Sequence, residues 1–411
     1  HDALPIFSSQ GIFISNLIFD SAKMELTYNN KRSVEDILKQ TTPACLEKVC
    51  IQGAECKNKI IKGDNINVMQ ALLQYYDVRG KIDLVYIDPP FSTNNVFRYS
   101  ETRTSTISSS SSDDVAYSDK LRGTDFLEFL RERLVFIREL MANHGSIYLH
   151  IDYKIGHYVK IVMDEIFGQS NFRNDIARIK CNPKNFDRKG YSNVKDLILF
   201  YTKSSDFVWN EPTQKLTGRD IEKLFPKKDK SGRRYTTTPL HAPGETTNGN
   251  TGKEWKGLMP PKGRHWRYDP AVLDDMDKNG LIEWSNTGNP RKILYADEAL
   301  LKGKRLQDIW EFKDPPYPVY PTEKNLELLK TIIRTSSDPG QMVFDCFCGS
   351  GTTLLAAHEL RRNWIGIDNS SAAIEATIKK LTPEKYLFDV GPNYEYLEQK
   401  ITKEIDAKIC V

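Results

Sequence analysis

Long hydrophobic runs are missing from this 411-residue sequence. No stretch approaches the roughly 18 apolar residues that a membrane-spanning helix needs, so no membrane partner is expected. No positively charged opening followed by an apolar run suggests a secretory leader. Cysteine is sparse and odd in number: the seven are Cys45, Cys50, Cys56, Cys181, Cys346, Cys348 and Cys410. None has zinc-ribbon spacing. Cys45, Cys50 and Cys56 could share a metal, but no nearby His or fourth Cys completes a site. Free thiols, no metal and a reducing cytoplasm are the expectation. A G-x-x-x-x-G-K-S/T loop is also missing, which excludes phosphate cradling of the P-loop kind. No internal repeat is visible.

Net charge is small as well, at +3. Its distribution is uneven. Between Arg173 and Arg267 there are 21 Lys/Arg against 10 Asp/Glu, so the remainder of the chain is acidic. A basic stretch of this kind suits a polyanion, and nucleic acid is the obvious one. A solvated surface whose charges happen to cluster would look the same.

Alternating strand and helix patterns predict a mostly parallel α/β sheet of the Rossmann-like kind. KIIKGD (59–64) reads as a strand, NVMQALLQYY (67–76) as a helix and KIDLVYI (81–87) as a buried strand. FLEFLRERLVFIRELMANHG (126–145) reads as an amphipathic helix ended by Gly145. SIYLHID (146–152), HYVKIVMDEIFG (157–168) and DLILFYTK (196–203) continue as strand, helix, strand. Ser33-Val34-Glu35-Asp36 resembles a capping box opening a short helix. Residues 101–119, with their serine run, read as a mobile loop. From about 204 the character shifts to Gly, Pro, Lys and Trp, as in GKEWKGLMPPKGRHWRYDP, which predicts an inserted domain. The expected order is an extension at 1–57, a catalytic half at 58–203, the insert at 204–312, a cofactor-binding half at 313–381 and a C-terminal segment at 382–411.

Two near-identical tetrapeptides stand out. Asp88-Pro89-Pro90-Phe91 directly follows the buried strand KIDLVYI, and Asp314-Pro315-Pro316-Tyr317 follows the polar LQDIWEFK. Ligands of open α/β sheets bind beyond the carboxyl ends of the strands. Paired prolines fix φ and remove two amide donors, which leaves nearby carbonyls free to accept. Phe91 offers a flat face on which a base can stack. Asp88 is therefore the candidate for chemistry, and Asp314 reads as a linker leaving the insert. Taken alone, either tetrapeptide could be a strand-ending turn.

A cofactor site gives the first one its context. MVFDCFCGSGTT places a glycine turn, Cys348-Gly349-Ser350-Gly351, between a buried strand and a helix. Glycine lets the backbone approach a ligand that a Cβ would exclude. WIGID then ends a strand with Asp368, at a distance suited to the hydroxyls of an adenosine ribose. The third glycine of the dinucleotide fingerprint is replaced by Leu354, which disfavours a nicotinamide enzyme. A nucleoside ligand without a pyrophosphate remains, and S-adenosylmethionine fits.

With these segments in this order, the chain resembles the amino-methylating DNA methyltransferases of the β arrangement, the adenine-N6 type in bacterial restriction–modification systems. The resemblance spans roughly residues 58 to 380. It rests on Asp88-Pro89-Pro90-Phe91, the basic insert, Tyr320-Pro321-Thr322-Glu323-Lys324 and Phe344–Gly351, in that order. It implies that Asp88 and the Pro89 carbonyl accept from the target amine, with Pro90 in the same rigid turn and Phe91 stacked on a flipped base. It implies that Asp345, Phe347, Gly349 and Gly351 line S-adenosylmethionine, with Thr322 and Lys324 near its methionine end, Asp368 at the ribose and Asp64 at the adenine. Tyr117 and Asp119 match a segment near the target pocket. Lys253, Trp255, Arg264, Trp266 and Arg267 in the insert are the candidate DNA contacts, the tryptophans being equally suited to its core. Double-stranded DNA is the implied partner, with a cognate restriction endonuclease and a homodimer as further family traits. The family usually has Tyr where Phe91 stands and Asn-Thr-Gly where Ser92-Thr93-Asn94 stands. Cytosine N4 is the alternative target, and a non-catalytic DNA-binding subunit of the same fold is the alternative class.

Overall fold

The structure is a computed structural model that describes residues 25–52, 57–90, 96–99, 114–118, 123–182, 189–316, 323–382 and 392–400. The chain divides into two compact units, Glu211–Leu306 and the residues on either side of it. The insert is thus tighter than 204–312. Phe207 and Trp209 pack on Phe200, and Ile309–Trp310 pairs with Phe172–Ile179, so both flanks belong to the large unit.

A ten-stranded sheet organises the large unit. In chain order its strands are β1 (Leu46–Gln52), β2 (Lys59–Lys62), β3 (Ile82–Ile87), β4 (Met141–Ile151), β5 (Phe172–Ile179), β6 (Lys195–Thr202), β7 (Ile309–Trp310), β8 (Met342–Asp345), β9 (Asn363–Asp368) and β10 (Tyr394–Gln399). Their spatial order is β1-β10-β2-β9-β8-β3-β4-β6-β5-β7. The run from β10 to β4 is parallel throughout. Such a run needs cover on both faces. Val85, Ile87, Ile147 and Leu149 pack one face against the helices Asn65–Tyr75, Gly123–Leu140 and Gly156–Phe167. The alternate residues Leu84, Tyr86, Tyr148 and Val343 are buried on the other face, where Tyr148 meets Ser336 of the helix Leu326–Ser336. The chain leaves β3 in one direction and β8 in the other, so the switch in strand order falls between those two.

Three sequence expectations change. The helix expected over 126–145 ends at Leu140, and β4 begins at Met141. Gly145 lies inside the strand beside a register shift, and a Cβ there would stand 2.9 Å from the carbonyl oxygens of both Ala142 and Ile82. Glycine serves a close backbone approach, not a helix stop. The C-terminal segment contributes β10, inserted between β1 and β2 and tied to β2 by Lys59–Glu395 at 2.5 Å. Within the expected serine-rich loop, Asp114–Ser118 pairs with Val96–Tyr99 as an antiparallel ribbon, while residues 100–113 lie outside the described residues. Ser33 does cap the helix Val34–Gln40, accepting from the Asp36 amide at 3.0 Å.

In the smaller unit, Lys227–Lys228, Arg234–Pro239, Pro290–Tyr295 and Ile282–Trp284 form an antiparallel sheet. Its core gathers Leu240, Trp255, Trp266, Leu273, Met276 and Ile282. Among the described residues, no helix is long and apolar enough to cross a membrane.

Candidate active site

Five adjacent parallel strands each run into an aspartate within two residues of their carboxyl ends. Across the sheet these are Asp64 after β2, Asp368 closing β9, Asp345 closing β8, Asp88 after β3 and Asp152 after β4. Burial would penalise such a row of carboxylates unless each had a partner. The partners differ, and they divide the row into roles.

Asp345 is 2% exposed. Its carboxylate accepts from the Phe347 amide at 3.0 Å and from the Thr353 hydroxyl at 2.6 Å. Burial pushes its carboxyl up to about 7 despite these two donors. It braces the glycine turn from beneath instead of presenting an open carboxylate. Gly349 and Gly351 both have left-handed φ, at 51° and 74°. A Cβ on Gly351 would press into Thr377 at 2.6 Å, whereas one on Gly349 would meet nothing within 4 Å among the described residues. The open space over Gly349 is what a bound ligand needs of this turn. Asp368 takes the Gly349 and Ser370 amides, each at 2.9 Å, and burial raises its carboxyl above the ordinary range. Each of its oxygens keeps further acceptor capacity.

Asp64 caps the helix Asn65–Tyr75 through the Ile66 amide at 3.2 Å and pairs with buried Arg133 at 3.3 Å. Arg133 lies 3.5 Å over the Phe129 ring, which packs in turn against Phe347. Asn65 donates to the Cys346 carbonyl at 2.9 Å. These contacts bring Asp64 beside the glycine turn, although it is some 280 residues away in sequence. Asn65, Phe129, Arg133, Thr353 and Thr377 were not legible as site residues. Each acts by packing or by a bond to a partner outside its own helix. Asp152 forms a local turn with the Lys154 amide and opens the next helix.

Asp88 is arranged differently. One carboxylate oxygen, Oδ2, pairs with Lys324. The other, Oδ1, is buried and has no hydrogen-bond partner among the described residues. Pro89 is buried and Pro90 half-buried behind it. The second motif shows the opposite pattern. Asp314 is 46% exposed at its side chain and is clamped by Arg178 at 2.5 Å. Its amide donates to the Lys180 carbonyl, and Arg178 also holds the Phe312 carbonyl. Asp314 is thus a structural anchor, tied into β5. Lys324 stands in the short segment before the helix Leu326–Ser336. Its neighbour Glu323 pairs with Lys380 at 2.5 Å, and Lys380 also reaches Ser350 and Thr352, each at 2.9 Å. That lysine, unnoticed in the sequence, fastens the segment carrying Lys324 to the glycine turn.

Phe91 and Thr322 lie outside the described residues, as does Asp119, and for Tyr117 the structure gives only backbone pairing with Phe97. In the smaller unit, Lys253, Arg264 and Arg267 are exposed. Trp255 and Trp266 are not available as ring contacts to DNA. They are 3% and 2% exposed, and their indole N–H groups are used by Asp274 and the Lys253 carbonyl, both at 2.9 Å. Both form the unit's core.

The chain is similar to known proteins over most of its length. The family described as "DNA methylase", of the N6/N4 type, matches residues 82–380. The Type II methyltransferase M.EcaI of Enterobacter cloacae is 39% identical over 363 residues, 86% of this chain and 75% of its own. The probable type III restriction-modification enzyme HindVI Mod subunit of Haemophilus influenzae is 24% identical over 399 residues, 80% of this chain but 51% of its own. Among solved structures, the M1.HpyAVI–SAM complex aligns with a TM-score of 0.40 at 18% identity, over 79% of this chain and 99% of that one. With the matched region running from the strand before Asp88 to the helix beyond the glycine turn, the chain belongs to the N6/N4 DNA methylases, the DNA methyltransferases of restriction–modification.

Proposed function

We propose that the protein transfers a methyl group from S-adenosylmethionine to the N6 amine of an adenine flipped out of duplex DNA. The observation that carries this reading is Asp88: one oxygen fixed by Lys324, the other buried and open. A buried acceptor left unsatisfied costs about 1–3 kcal/mol. Such a cost is expected where the missing donor is a substrate.

The exocyclic amine is a weak nucleophile because its lone pair is delocalised into the ring. Asp88 Oδ1 and the Pro89 carbonyl accept its two N–H bonds and favour a pyramidal nitrogen. Lys324, by holding Oδ2, stops the carboxylate from rotating away. When bound, the cofactor supplies an electrophilic sulfonium methyl. The turn at Gly349 and Gly351, braced by Asp345, would hold it, with Phe347, Asp64, Asp368 and Lys324 around it. Most of the catalysis is then positioning and electrostatics. Asp88 need not be a strong base, since the nitrogen loses its proton after it has become cationic. A base stacked in a duplex cannot reach such an acceptor, so the target is extruded. Lys253, Arg264 and Arg267 hold phosphates. Adenine is preferred because, in the family the sequence resembles, Asp at this position accompanies adenine more often than cytosine.

The test is product identity. Wild type and Asp88→Ala are incubated with unmethylated bacterial DNA and methyl-labelled cofactor, and the digested nucleosides are identified by mass. Labelled N6-methyladenine from wild type only is the expected result. Labelled N4-methylcytosine keeps the mechanism and changes the base. Cofactor binding with no labelled nucleoside would leave a non-catalytic DNA-binding subunit as the better reading.

A further inference from the structure

Behind Asp88 lies a buried group that the mechanism above does not use. His150, on β4, is fully buried. Its Nδ1 is 3.8 Å from Asp88 Oδ1 and 3.0 Å from the Tyr86 hydroxyl. Its Nε2 is 3.3 Å from Asp196 Oδ2 on β6. Asp196 is 5% exposed at its side chain, is bonded to Lys180 at 2.7 Å and has Arg178 at 3.6 Å. Arg178 is the residue that clamps the half-exposed Asp314, so the two Asp-Pro-Pro segments stand at the two ends of one polar chain whose middle is buried.

The chain fixes where protons sit. Burial pushes the Asp196 carboxyl up, but hydrogen bonds from His150 and Lys180 outweigh it and hold the group well below the ordinary carboxylate range. Asp196 is therefore an anion and can only accept, so Nε2 carries a hydrogen. Burial drives the imidazole toward its neutral form, with Lys324 adding to that push and Asp88 and Asp196 opposing it. A neutral ring with hydrogen on Nε2 has none on Nδ1. Burial, then Asp88, keeps the Tyr86 phenol protonated, so Tyr86 donates to Nδ1. Asp88 Oδ1 consequently stands 3.8 Å from a ring nitrogen that carries no hydrogen and whose lone pair is taken by Tyr86. In the other tautomer the single Nδ1–H would have two acceptors to choose from, the Tyr86 oxygen at 3.0 Å and Asp88 Oδ1 at 3.8 Å, and the charged carboxylate is the stronger, so Oδ1 would be drawn toward the ring and away from the substrate.

We propose that Asp196 is a positioning residue: by fixing the His150 tautomer it keeps Asp88 Oδ1 open for the target amine. The inference rests on Asp88 being the amine's acceptor. It predicts that Asp196→Asn, whose amide can donate to Nε2, moves the hydrogen to Nδ1. Turnover should then fall about 10²-fold, in keeping with the sensitivity of reactions to misplaced acceptors.

Histidine-selective ¹⁵N NMR of the full chain is the direct measurement, with the His150 signals identified by their loss in His150→Phe. The expected result is an Nε2–H tautomer in wild type, an Nδ1–H tautomer in Asp196→Asn, and a lower kcat in that variant with unchanged cofactor and DNA affinities. Asp196→Glu, which keeps the anion, should restore the Nε2–H tautomer and much of the rate. An Nδ1–H tautomer in wild type overturns the proposal, a result that needs no variant to fold. So does an inverted tautomer in Asp196→Asn with wild-type kcat. Failure of the Asp88 reading looks different: Asp88→Ala would keep turning over, whatever the tautomer.

Discussion

Asp345 and Asp88 end neighbouring strands and carry the same functional group, yet their surroundings give them different jobs. Asp88 keeps one oxygen open, whereas Asp345 spends both on the glycine turn. Burial sets the protonation of Asp345, with its carboxyl at about 7 against an ordinary 3.8. A carboxyl raised on folding takes up a proton when the chain folds, so its contribution to stability is full below the unfolded value and is lost as pH rises through about 7. The protein should therefore lose melting temperature between pH 5 and pH 8 in part through this group. Asp345→Asn, which resembles the neutral acid, should flatten that loss. Thermal melts of both proteins without cofactor across this range check it. Parallel curves would mean that Asp345 is already ionised at pH 5.

Elements place these carboxylates, and the glycine turn shows how. The two glycines serve different neighbours. Gly351→Ala forces a Cβ onto Thr377, so the turn itself must move. Gly349→Ala meets no atom of the described residues, and its cost is the left-handed φ, about 1–2 kcal/mol. Gly351→Ala should lose both stability and cofactor affinity. Gly349→Ala should stay folded yet lose cofactor affinity at least tenfold, because its methyl fills the ligand's space. Calorimetric titration beside a thermal melt separates the two, and a Gly349→Ala that binds normally would remove the ligand from this turn. The strand ends were legible because KIIKGD, VYID, YLHID, VFD and WIGID each join a buried apolar run to an aspartate. That pattern is local, as is the Ser33 cap. What the sequence hid depends on partners far along the chain. β10 belongs to a C-terminal segment to which the sequence assigns no element, and it slots between β1 and β2. Gly145 mimics a helix stop because its close neighbour is the Ile82 carbonyl, 63 positions away in sequence. His150 and Asp196 lie in plain strand patterns, and only the pairing of β4 with β6, which sets His150 opposite Ile198 and Ile151 opposite Leu197, brings them together.

For the molecule as a whole, charge separates the two units. Glu211–Leu306 carries 19 Lys/Arg against 13 Asp/Glu, whereas the whole chain is only +3, so the smaller unit is cationic and the rest acidic. Within that unit the residue types divide by burial. The tryptophans hold the core, and Lys253, Arg264 and Arg267, the proposed phosphate contacts, are exposed. The two classes should fail differently. Trp255→Ala empties a packed site and costs about 3–5 kcal/mol, enough to melt the unit and lower DNA affinity through unfolding. Replacing Lys253, Arg264 and Arg267 together with Gln should leave the fold and cofactor affinity intact. It should weaken binding to every duplex alike and reduce the slope of log K against log salt by about 0.9 for each phosphate that is no longer neutralised. Binding isotherms at several salt concentrations, read beside the melting curve, distinguish these outcomes. If the triple variant keeps both affinity and slope, the cationic face is only solvated, and the residues that hold DNA lie elsewhere on the chain.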